Sequence, residues 1–301
     1  MRNMITDTHQ HVSWHRRDDA ALVADLDEQS IDLAWLLTWV NPPAEDASDY
    51  RSALNPVHLR PDGSHPGLPL ADVLSACLRY PDRFIPGYCP DPLVGDAATW
   101  FENAVKMHGV RICGEWKFRM LLDDPRCIVL FRKAGELGCP VVLHFDAPWL
   151  IDRETGTRRY APAWYGGTME NLERTLKACP ETTFIGHGPG FWREISGDAD
   201  ESPDVYPVGP VTAGGRLIRL LESHANLWAD LSAGSALRAL GRDVEFATSL
   251  LVGFADRLLF GRDYYGSQLL EFLHGLELPA EVRENLFWRN AARLIPAPGA
   301  S

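Results

Sequence analysis

The sequence has no C-x-x-C pair: its six cysteines, Cys77, Cys89, Cys113, Cys127, Cys139 and Cys179, stand far apart in a chain of 301 residues. Thiolate metal knuckles are therefore not expected, and a chain of this size needs no disulfide staples, so the cysteines read as reduced core residues. No apolar run approaches the roughly 18 residues of a membrane helix, and the N-terminus lacks the hydrophobic stretch of a secretory signal; the expected compartment is the cytoplasm. Basic residues are in short supply, 29 Lys and Arg against 41 Asp and Glu for a net charge of -12. That balance argues against a binder of nucleic-acid backbones, which needs a basic face to displace counterions. No G-x-G-x-x-G follows the first strand, where a dinucleotide fold would place it.

What the chain does have is material for a large core: 46% of its residues are hydrophobic and 10% aromatic. A mean hydropathy of -0.17 is that of an ordinary globular protein. Apolar runs at 5–12, Ile31–Trp39, Arg83–Cys89, Gly109–Phe118, Pro140–Phe145, Thr182–Gly188, Asn226–Ser232 and Arg257–Asp263 read as eight strands, several buried on both faces. Helical periodicity separates them at 18–29, 70–80, 96–107, 125–137, 167–178, 212–223 and 235–250, with a closing helix at 279–295. Three stretches, 41–69, 147–165 and 189–211, are rich in Pro, Gly and acids and read as long loops. Strands alternating with helices imply a parallel sheet with right-handed crossovers. Eight such units predict an α/β fold of the (β/α)8 TIM-barrel type, with allowance for distortion, formed by residues 1–301 as one domain. A doubly wound open sheet is the alternative.

In such a barrel the C-terminal ends of all strands converge on one mouth. Those ends carry His9 and His11, Glu115, His144, His187 and Asp263. His9 and His11 are one residue apart, so on a strand both imidazoles leave the same face. Singly, His144 or His187 would more often be a hydrogen-bonded core histidine; it is the shared position at strand ends that makes a metal site the better account. Imidazole and carboxylate without thiolate favour a catalytic site over a structural one.

The motifs Asp7-Thr-His9-Gln-His11, Val142-Leu-His144, Ile185-Gly-His187-Gly and Leu259-Phe-Gly-Arg-Asp263-Tyr, with the closing Asn290-Ala-Ala-Arg-Leu-Ile, resemble the amidohydrolase superfamily of metal-dependent barrels and in particular its amidohydrolase-related branch. The resemblance implies one or two divalent ions, zinc expected, on His9, His11, Glu115, His144, His187 and Asp263, with Asp263 and His187 as catalytic residues. Many relatives carry a bridging carboxylated lysine on the fourth strand; here Gly114-Glu115 is similar instead to the Gly-Glu of the TatD-like nucleases, where glutamate is the ligand. Lys117, two residues on, competes for that role, or else meets a substrate carboxylate or a buried acid. Arg262 reads as structural, and Asp230 and Ser232 as hydrogen-bonding supports. Trp14, His15, Trp39, His58, His65, Trp149, Trp164, Tyr165 and Trp192 fall on loops after strands, as pocket walls or as plain packing.

Three enzymatic readings follow: a metal-dependent hydrolase of a small ester, lactone or amide; a non-oxidative decarboxylase of a small aromatic acid on the same barrel; and a metal-free dicarboxylate lactonase. The first leads. The expected partner is a small molecule, with neither nucleic acid nor membrane, and a homo-oligomer is allowed.

Overall fold

The computed structural model describes residues 4–43, 45, 50–151, 155–161, 163–201 and 204–297. Eight parallel strands form its centre: β1 (Thr6–Gln10), β2 (Leu33–Leu36), β3 (Phe84–Pro86), β4 (Cys113–Trp116), β5 (Val141–His144), β6 (Phe184–His187), β7 (Leu227–Asp230) and β8 (Leu258–Leu259). Ladder pairing joins β1-β2-β3 in one sheet and β4 to β8 in sequential order in another. The two open seams are bonded as well. Thr8 N donates to Phe260 O at 2.9 Å between β1 and the end of β8, and Arg111 N donates to Pro86 O at 3.0 Å beside a parallel bridge from Gly87 to Ile112. The result is the expected (β/α)8 barrel.

Strand periodicity sorts its side chains into two layers. Leu33, Trp35, Ile85, Ile112, Val142, Ile185, Trp228 and Leu259 fill the interior, and the closing helical segment adds Ala291 and Ile295 to them. Ala34, Leu36, Phe84, Cys113, Val141, Leu143, Phe184, Leu227 and Leu258 face outward into a larger cluster with the helices. At roughly 1.5–3 kcal/mol for each large apolar side chain removed from water, these layers supply most of the driving force for folding.

The helices start where short polar caps precede amphipathic stretches. Asp18 accepts from Ala21 N ahead of α1 (Asp19–Glu28), and Asp96 from Thr99 N ahead of α3 (Ala97–His108), with α2 (Leu70–Arg79) between them. Asp124 caps α4 (Pro125–Glu136), whose proline occupies the first turn, where its missing N–H costs nothing. After α5 (Met169–Ala178) and α6 (Arg216–Ser223) comes the first departure from expectation: the helix anticipated at 235–250 is two, α7 (Ala233–Gly241) and α8 (Val244–Gly253). Asp243 lies between them and accepts from Phe246 N, because a short acid at that point caps a new helix better than it continues an old one. The helix Gln268–Gly275 was not anticipated, and the closing segment holds a π turn at Asn285–Arg289 between two α-helical pieces.

The long loops also contain more order than their composition suggests. Trp39–Val40 pairs antiparallel with Gly67–Leu68, and Trp149–Ile151 with Arg158–Tyr160. Pro189–Trp192 forms a short helix within the stretch 189–211, read from sequence as loop. All six cysteines are free. Among the described residues, no helix is long and apolar enough to cross a membrane.

Candidate metal centre

β1 and β4 each carry one extra residue against their neighbours. Between Asp7 and Gln10 β1 advances three residues while β2 advances two, and β4 does the same against β5 between Cys113 and Trp116. Such bulges re-aim side chains. On β4 the effect is decisive: Ile112 points inward, so strict alternation would turn Glu115 outward, yet Trp116 belongs to the outer cluster and Glu115 turns in. β5, β6 and β7 stay regular, and the inner positions after Val142, Ile185 and Trp228 are His144, His187 and Asp230.

At the mouth these residues meet. Glu115 Oε1 lies 2.7 Å from His187 Nε2 and 2.9 Å from His144 Nδ1, and Glu115 Oε2 is 3.6 Å from His11 Nε2. Asp263 Oδ1 stands 3.3 Å from His11 Nε2 and 3.9 Å from His9 Nε2. Three overlapping sets, His9/His187/Asp263, His9/His11/Glu115 and Glu115/His144/His187, each bring their donor atoms within 4.8 Å of one another. Lys117, the alternative to Glu115, holds its ammonium 4.4 Å from the ring centre of Trp39 and 4.5 Å from that of Tyr50.

Outer partners orient the rings. His9 Nδ1 donates to Asp230 Oδ2 at 2.7 Å, and His11 Nδ1 to Leu37 O at 2.8 Å, so each turns Nε2 toward the centre. His187 Nδ1 is 3.0 Å from Ser232 Oγ, whose backbone N–H in turn donates to Asp230 Oδ1. Gly261 has to be small, since a Cβ there would sit 2.6 Å from Asp230 Oδ1 and 3.0 Å from His9 Cβ. Asp263 adopts left-handed backbone at φ 50° and donates its N–H to His9 O at 2.8 Å, a conformation costly for a non-glycine residue and held here by its surroundings.

The electrostatics favour a cation. Burial works against a charged His9, yet Asp230, Asp263 and Glu115 outweigh it and lift its pKa to about 9. Burial likewise opposes charge on Glu115 and Asp263, but Lys117 and His144 hold Glu115, and His9 and His11 hold Asp263, below the usual carboxylate range. His144 is pushed down to about 4 by burial and by Lys117. Lys117 stays charged, with Tyr50, Glu115, Asp263 and Tyr165 overcoming its burial. His9 Nε2 is buried with no hydrogen-bond partner among the described residues. An orphaned imidazole nitrogen facing two carboxylates is a donor set that fits a divalent ion.

The remaining candidates divide. Arg262 is structural in its contacts, bound through Nε to Asp7 Oδ2 at 2.6 Å and through Nη1 to Asp25 Oδ2 at 2.8 Å. His58 pairs with Asp72, and His65 with Asn55 O and Gly67 N, so both serve the loop rather than the centre. Trp14 and Trp39 pack with Ala53, Leu54 and Leu68, and His15 lies against Trp14 and Tyr264. Trp164 stacks on Arg119, Trp192 Nε1 donates to Asp230 O, and Tyr165 edges His144. Trp149 lies on the hairpin described above. Tyr50 and Asp7 were assigned no role from sequence: no spacing rule brings Tyr50 to Lys117, whereas the acid two residues before His9 was a signal left unused.

A family model described as "Amidohydrolase" matches residues 6–297. No curated protein sequence matches significantly. Among solved structures, 5-carboxyvanillate decarboxylase LigW from Sphingomonas paucimobilis is similar at 16% identity and a TM-score of 0.60, covering 97% of this chain and 98% of that one. A dihydroxybenzoic acid decarboxylase from Polaromonas sp. JS666, with bound manganese and 2-nitroresorcinol, gives 16% and 0.60 over 97% and 96%. A 5-carboxyvanillate decarboxylase from Novosphingobium aromaticivorans, also with manganese, gives 19% and 0.57 over 91% and 78%. At these identities the likeness is one of fold.

Proposed function

The chain belongs to the amidohydrolase family, and from that premise we propose that it is a metal-dependent hydrolase of a small ester, lactone or amide. His9, His11, Glu115, His144, His187 and Asp263 would hold one or two divalent ions, zinc by the chemistry of the donors and manganese by comparison with similar structures. When bound, such an ion supplies Lewis acidity, polarising a carbonyl and lowering the pKa of water at the site from about 15.7 towards 7.

The chain's own groups do the rest. Asp263, the most open of the donors at 19% exposure, accepts the proton of the attacking water. His187, steadied by Ser232 and beside Glu115, would pass a proton to the leaving group in a one-ion site that leaves its Nε2 off the metal. Asp230 keeps His9 in the tautomer that presents Nε2 inward.

The observation that carries this reading is the place of Glu115, one carboxylate touching His144 and His187 with one oxygen and approaching His11 with the other. Decarboxylation is the second reading. Similar structures act on aromatic acids, and aromatic rings surround Lys117, but a decarboxylase using the histidines and Asp263 alone would leave Glu115 idle. The test is elemental analysis of the purified parent and of Glu115→Gln, with a panel of lactones, esters and hydroxybenzoates. The hydrolase reading expects Glu115→Gln to lose metal and hydrolysis together. Full metal retention with release of carbon dioxide from an aromatic acid would replace it with the decarboxylase.

A further inference from the structure

The loop that follows β1 turns through three left-handed non-glycine residues, Ser13 at φ 60°, His15 at 51° and Arg16 at 62°. Such backbone is costly and persists where the surrounding structure imposes it. The contacts that impose it are His15 N donating to Ala53 O at 2.8 Å, an antiparallel bridge between Trp14 and Leu54, and Tyr265 Oη donating to Trp14 O at 3.0 Å. Trp14, Ala53 and Leu54 then pack with Trp39 and Leu68. The two segments so joined are the walls of a cleft of about 810 Å³, inside the roughly 300–1,000 Å³ usual for small-molecule sites.

The lining is cationic. Arg16, Arg17 and Arg51 border the cleft, and Asp18 is the one acid among the described residues that do so. Asp18 is committed to the first turn of α1, where it accepts from Ala21 N at 2.9 Å. Arg17 lies 3.8 Å over the ring of Tyr265 and 3.5 Å from Asp25. Arg16 and Arg51 are exposed, one on each wall, and neither side chain has a hydrogen-bond or ion-pair partner among the described residues. In a chain with a net charge of -12, two unneutralised guanidiniums on one preformed cleft are a focus of positive potential. None of the residues lining it belongs to the metal donor sets. We propose that this cleft is a second ligand site, apart from the metal centre, for a small phosphate ester. A phosphomonoester is close to a dianion at pH 7, so one group offsets both free charges, and its oxygens match the forked donors of a guanidinium. A carboxylate brings one charge only. Two arginines suit one phosphate and not a run of them, in keeping with the lack of nucleic-acid binding expected from the net charge.

The test is titration calorimetry of the full chain with glycerol 3-phosphate, with glycerol as the uncharged control, alongside phosphatidylcholine vesicles with and without phosphatidic acid. Glycerol 3-phosphate is expected to bind and glycerol not to. Arg16→Gln and Arg51→Gln should each weaken the ester by about tenfold or more, the scale of one charge-assisted hydrogen bond, and the two together should abolish binding. Arg111→Gln, at an exposed arginine ahead of β4 that lines no part of the cleft, should leave the affinity unchanged. Metal content and circular dichroism should match the parent throughout. The proposal is overturned if the parent does not bind the ester, or if the double variant binds within about threefold of the parent, which would place the ester on the metal centre. Equal weakening in Arg111→Gln would reduce the effect to net charge, and binding of phosphatidic acid vesicles without the soluble ester would make the surface a membrane contact; either result overturns it too. Should Arg16→Gln not fold, an unchanged affinity in Arg51→Gln alone overturns it equally.

Discussion

Replacing Arg262 by Met removes a guanidinium that is 4% exposed and tied to two acids. The two acids are not equally affected. Asp25 keeps Arg17 at 3.5 Å and the Gly266 N–H at 3.0 Å. Asp7, fully buried, keeps only neutral donors, the backbone N–H of position 262 at 2.9 Å, Gln10 Nε2 at 2.8 Å and His9 N at 3.2 Å. Burial already raises the Asp7 carboxyl pKa with Arg262 in place, so the uncompensated ion is poorly tolerated. One buried charge stripped of its partner costs about 3–5 kcal/mol, a large share of the roughly 5–15 kcal/mol by which a domain is stable. The assay is urea denaturation followed by circular dichroism, where the midpoint should fall by the equivalent amount with an unchanged slope. Asp7→Asn combined with Arg262→Met should cost less than the sum of the single changes, because the pair is removed together. A loss below about 1 kcal/mol in Arg262→Met, comparable to an exposed pair, would refute the structural role given to this buried contact.

Two further outcomes are expected. Asp263→Asn preserves size and one oxygen but cannot take a proton, so turnover should fall by about 10²- to 10⁴-fold with fold and metal retained; activity within roughly threefold of the parent would move the base to His187 and favour the decarboxylase. The protein should not bind single- or double-stranded DNA in filter or anisotropy assays, and salt-sensitive micromolar binding would overturn the inference from an excess of 12 negative charges.

Much of this was legible in the chain itself. The eight-fold alternation, the acids that cap helices, and the histidines at the ends of β1, β5 and β6 follow from patterns a few residues long, because strand and helix periods are local properties. The spacing of His9 and His11 and of Val142 and His144 decided which way those rings could face. Other features depended on partners far off in sequence. The one-residue bulge on β4 turned Glu115 inward against the alternation set by Ile112, and no local rule announced it. Asp243 broke a helix that apolar periodicity alone would have continued. Lys117 and Tyr50 meet only because the loop after β2 folds back over the mouth, and Arg262 finds Asp7 only because β8 closes against β1. The sequence alone determined which chemical groups stand at strand ends, since that is a matter of short-range period; the closure of the barrel decided which of them share a charge, a proton or a ligand, since those interactions depend on distance in space.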